Sequence, residues 1–150
     1  MIQVSSSFRW SNLALVSRAK TPSSISSAVT ILDRAKNELT ECGANTFSPI
    51  ADNTFTFGRR WFSWGRTWMG LLSGGEVQVT QLQDGVSLIV RARLGRLLMG
   101  HLIFFSVGAF EGLPLAFNLG INVFVMLANA TIAQWGLRGV ARRALSGGAA

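Results

Sequence analysis

His101 is the only histidine in the chain, and it falls about one turn into an uncharged apolar stretch. An ionisable side chain at such a depth is a candidate proton relay or gate. The bland alternative is a neutral imidazole bonded to a backbone carbonyl or to a neighbouring helix. No second histidine, cysteine or carboxylate stands at ligand spacing, so no metal site within one chain is expected. Asn118, Asn122 and Asn129 follow at i, i+4 and i+11, which sets three amides on one stripe of a helix. Amides in an apolar medium need partners. The stripe therefore either packs against a second helix or a second copy of the chain, or it lines a permeation path.

Trp61, Trp64 and Trp68 share a helical face with Leu71 and Leu72, and Arg66 lies on another face. Such a stretch suits either a segment lying in a headgroup region or aromatic packing inside a domain core, and Gly65 and Gly70 weaken any helix there. Cys42 is the single cysteine, so no intrachain disulfide can form. Gly74-Gly75 lacks the Lys-Ser/Thr of a phosphate loop, and no Gly-x-Ser-x-Gly elbow occurs. The acidic residues are scattered. No enzymatic activity and no cofactor are expected.

Hydrophobic residues make up 49% of the chain and charged residues 14%, against about 25% charged in an average soluble domain. That imbalance points to lipid. The formal net charge is +7. Residues 1–94 hold ten Lys/Arg and six Asp/Glu (+4), and residues 95–150 hold four and one (+3). With no dense basic run, nucleic acid is not favoured as a partner.

Residues 1–20 show no sustained period and read as a leader. From 21 to 94 a small α+β domain is expected. Thr21 as cap, Pro22 at the first helical position and Gly43 as the stop bound an amphipathic helix with Ile25, Val29, Leu32, Ala35, Leu39 and Cys42 on its apolar face. Short strands at 46–50 and 54–60 follow. Asp84-Gly85 then predicts a two-residue hairpin turn in which Val79 faces Val90, Val77 faces Ala92 and Glu76 faces Arg93. One face of this hairpin carries Val77, Val79, Val86, Leu88, Val90 and Ala92. The architecture predicted is one amphipathic helix on a short antiparallel sheet.

Beyond residue 94 the pattern changes. Residues 94–111 and 113–137 read as two transmembrane helices, in all a hairpin over 95–137. Eighteen residues of helix reach about 27 Å and twenty-five about 37 Å, against a hydrocarbon core of about 30 Å. Glu111-Gly112-Leu113-Pro114 suits the turn between them. Arg91, Arg93 and Arg96 precede the first span, Arg138, Arg142 and Arg143 follow the second, and the turn has no Lys or Arg. By the positive-inside rule both termini are then cytoplasmic. Residues 138–150 read as a basic flexible tail.

The order of these elements resembles that of small bacterial membrane proteins, which implies the inner (cell) membrane. The acid-free, Ser-rich residues 1–32 leave an organellar membrane as the minor alternative. The function expected is a non-enzymatic, membrane-anchored interaction or assembly module, with the lipid bilayer and a second copy or another membrane protein as partners. The alternative is a homo-oligomeric channel or transporter subunit, because two spans cannot enclose an aqueous path alone.

Overall fold

The computed structural model describes residues 2–9, 14–22, 27–59, 68–83 and 85–147. Along the chain these form β1 (Gln3–Arg9), β2 (Ala14–Thr21), α1 (Ala28–Glu41), β3 (Thr46–Ala51), β4 (Thr54–Gly58), a 3-10 turn (Trp68–Leu71), β5 (Gly74–Leu82), β6 (Gly85–Arg93), α2 (Gly95–Phe110) and α3 (Leu115–Ser146). The fold is α+β, with one six-stranded antiparallel sheet in the order β1-β2-β6-β5-β4-β3.

Within residues 1–20, expected as a leader, the described residues 3–9 and 14–20 instead belong to β1 and β2. Their short alternation, Val4-Ser6-Phe8 against Ser5-Ser7-Arg9, becomes a strand pattern only once β6 pairs with β2 through Ala14↔Arg93 to Thr21↔Val86. Thr21 is thereby held in the sheet. The helix begins later, at Ala28, where the Ser27 hydroxyl accepts from the Thr30 backbone N–H at 3.2 Å. Its buried stripe is Ile31, Ala35 and Leu39, and Val29 is exposed. Ile25 lies outside the described residues. The expected stop holds, with Gly43 at φ 100°.

Leu82 pairs with Gly85 across the β5–β6 turn, so Val77 faces Val90 and Glu76 faces Arg91. The register differs by two residues from that predicted. A shift of two preserves the alternation, and Val77, Val79, Val86, Leu88, Val90 and Ala92 all point into the core as expected.

Both α1 and the second half of α3 cover one face of the sheet. Ala133, Leu137, Val140, Ala141 and Ala144 recur at helical spacing and are buried against α1 and the strands. Residues 138–146 are therefore core helix and not a tail. Their three arginines suggest a tail, but these lie on the outward side of a stripe of small apolar residues. At 32 residues α3 is about 48 Å long. It leaves the domain for its first half.

Of the two helices expected to span, Leu115–Ser146 is long and apolar enough to cross a membrane, whereas Gly95–Phe110 is apolar but shorter, at 16 residues. The two pack against each other as a helical hairpin, closed by a turn in which the Leu113 N–H donates to the Gly108 carbonyl at 3.0 Å.

Candidate functional site

The polar residues of the hairpin face one another. His101 Nδ1 donates to Asn122 Oδ1 at 3.4 Å. Asn122 Nδ2 donates to both the carbonyl and the side-chain Oδ1 of Asn118, each at 2.9 Å. Asn118 Nδ2 in turn donates to the Phe105 carbonyl at 2.9 Å. A directed chain thus runs from α2 through two amides of α3 and back to α2. Asn118 is 1% exposed and Asn122 7%. Gly108 makes room for this chain, because a Cβ there would lie 2.7 Å from Asn118 Oδ1. Asn129 stands apart from the chain and lines a groove of about 300 Å³ with Arg96, His101, Phe104 and Val125.

Around this polar interior the hairpin is apolar on the outside. Leu102, Ile103 and Phe104 of α2, and Leu115, Phe117 and Phe124 of α3, are all more than half exposed. In residues 115–132 the buried side chains are those of Asn118 and Asn122. A helix folded against water has the opposite arrangement.

The arginines that frame the hairpin are not equivalent. Arg96 donates through its guanidinium to the Arg59 carbonyl, and its backbone N–H donates to Ser73 Oγ at 3.0 Å, so the start of α2 is tied to the loops below β4 and β5. Arg138 Nε and Gln134 Nε2 both donate to Ser6 Oγ at 2.6 Å, fastening α3 to β1. Arg143 pairs with Glu38, joining α3 to α1. Arg142 is exposed beside a cleft shared with Val4 and Trp135. Arg91 pairs with Glu76 at 3.4 Å, and Arg93 lies two residues further along β6 on the same face.

Trp61, Trp64 and Arg66 lie outside the described residues. Trp68 is half-buried, and its indole covers Gly136 of α3, where a Cβ would come within 2.1 Å of the ring. For this tryptophan the core-packing account applies. Burial pushes the Cys42 thiol above its ordinary value despite the opposing nearby charge of Arg143.

One basic cluster is formed only by the pairing of distant strands. Arg9 of β1 shares a cleft with Arg91, Arg93 and Glu76 on the face of the sheet away from α1 and α3. Its signal in the sequence is its place at the end of the Gln3-Ser5-Ser7-Arg9 alternation, opposite Val4, Ser6 and Phe8. Among the described residues, no group of three His, Cys, Asp or Glu side chains comes together to hold a metal ion. No family model, curated protein or solved structure matches this chain.

Proposed function

We propose that the protein is a non-enzymatic, membrane-anchored interaction module. α2 and the first half of α3 insert into the bilayer as a hairpin, and the α+β domain is held at the cytoplasmic face with both termini on that side. The observation that carries this reading is the inverted burial of the hairpin, amides inside and Leu, Ile, Phe and Val outside. Lipid is the solvent in which that arrangement costs nothing on the outside and satisfies the amides within.

The dimensions agree. α2 reaches about 24 Å and residues 115–132 about 27 Å, slightly less than a hydrocarbon core of about 30 Å, and local thinning of the bilayer accommodates the difference. Glu111 then sits at the far interface, and Arg96 and Arg138 at the near one. A channel-forming oligomer is less favoured, because the Asn118 and Asn122 amides donate within one hairpin.

Membrane fractionation and cysteine labelling test the reading. After Cys42 is replaced by Ser, the protein should resist alkaline extraction from membranes. A cysteine at position 112 should be labelled from outside the cell, and cysteines at positions 81 and 146 should be protected. Release of the protein by alkaline extraction would refute the anchor. Protection of position 112 from both sides would refute a crossing hairpin.

A further inference from the structure

Among the described residues, α1 and α3 lie on one face of the sheet, and the charge of the opposite face is one-sided. Val4, Ser6 and Phe8 of β1 turn toward α3, so Gln3, Ser5, Ser7 and Arg9 turn away. By the same alternation Ala14, Val16, Arg18 and Lys20 of β2, and Ile89, Arg91 and Arg93 of β6, share that face. Five cations, Arg9, Arg18, Lys20, Arg91 and Arg93, therefore face one acid, Glu76, among the described residues of these strands and β5.

Three of the five converge. Arg9, Arg91 and Arg93 line a cleft of about 220 Å³ with Ala14, Val16 and Glu76. The pairings Arg9↔Ala14 and Ala14↔Arg93 set two arginines astride an alanine in one cross-strand row. Their backbones are then two strand spacings apart, about 9.6 Å. Two guanidinium groups at that separation can close on one phosphate seated over the small side chain between them, each offering its fork of donors. Ala14 and Val16 are each only 3% exposed and line this cleft, so they form its recessed floor. Glu76 holds Arg91 at 3.4 Å, and neither Arg9 nor Arg93 has an ion-pair partner among the described residues.

We propose that this cleft is a binding site for the phosphate of an anionic phospholipid headgroup. The site lies at the end of the sheet from which the hairpin departs, since Arg93 ends β6 and α2 begins at Gly95. That choice of a lipid over a free phosphate ester rests on the proposed membrane anchor. An uncompensated pair of cations discriminates against a zwitterionic headgroup, whose ammonium would be repelled.

The test uses the full chain purified in an uncharged detergent. Its thermal midpoint is followed while phosphatidylglycerol, phosphatidylcholine or glycerol 1-phosphate is added. Phosphatidylglycerol should raise the midpoint saturably, and phosphatidylcholine should not. The Arg9→Gln/Arg93→Gln variant should need about tenfold more phosphatidylglycerol or worse, since two charge-assisted contacts are lost. Arg9→Lys/Arg93→Lys should keep part of the response. Glu76→Gln frees Arg91 and should lower the phosphatidylglycerol required, which keeps the site testable if the double variant fails to fold. An unaltered response in the glutamine pair, or no gain in Glu76→Gln, would overturn the site. Saturation by glycerol 1-phosphate at the same concentration would overturn the lipid as its ligand. A flat phosphatidylglycerol response in protein that still resists alkaline extraction from membranes counts against this site alone, whereas ready extraction counts against the anchor.

Discussion

Asn118 lies directly over Gly108, its Oδ1 2.7 Å from where a Cβ on that glycine would stand, and its amide donates across the hairpin to the Phe105 carbonyl at 2.9 Å. The close approach and the hydrogen bond are one structural device. Gly108→Val should push the amide away and break the chain that continues to Asn122, lowering stability in detergent by about 1–3 kcal/mol. Asn118→Leu should cost about 0.6–2 kcal/mol. Asn129→Leu should cost less, because Asn129 has no hydrogen bond among the described residues. Unfolding by a denaturing detergent ranks the three, and an Asn129 effect equal to that of Asn118 would contradict the assignment.

Gly85 opens β6 at φ 145°, and a Cβ there would meet the Thr21 carbonyl at 2.1 Å and Pro22 at 2.9 Å. Any side chain must displace the backbone where β2 ends. Gly85→Val should therefore cost more than about 3 kcal/mol, through strain and loss of the β2–β6 pairing around Thr21↔Val86. Limited proteolysis of the domain reads this out, with rapid cleavage near β2 expected in the variant and slow cleavage in the parent.

Cys42 ties the domain's stability to alkaline pH. Its thiol titrates above its ordinary value of 9.0 in the folded chain, chiefly because burial disfavours the thiolate. The folded state then holds its proton more tightly than the unfolded state does. This contribution is complete below the unfolded value and is lost as pH rises from there through the folded value. Denaturant midpoints should fall faster as pH rises above 9.0 in the parent than in Cys42→Ser. Parallel profiles would show that burial does not govern this thiol.

Sequence periodicity was sufficient wherever a single element met a single solvent. The Val77-Val79 and Val86-Leu88-Val90-Ala92 alternation names the core face of β5 and β6 whichever of two registers is chosen, because a shift of two leaves every side chain on its own side. Likewise the uncharged run after Arg96 and the amide stripe at Asn118 and Asn122 announce an apolar hairpin with a polar seam.

Three features were decided only by tertiary pairing. β1 and β2 have weak local patterns, and β2 lies far along the chain from its partner β6; pairing across about seventy residues leaves no local period to read. The second half of α3 has arginines at 138, 142 and 143, which read as a polar tail until the sheet and α1 bury Ala133, Leu137, Val140 and Ala144 between them. The basic cleft unites Arg9 with Arg91 and Arg93 through an alanine that belongs to a third strand. Charge along the chain is a one-dimensional property, and a strand's lateral neighbours are set by hydrogen bonding at about 4.8 Å regardless of how far apart they lie in sequence.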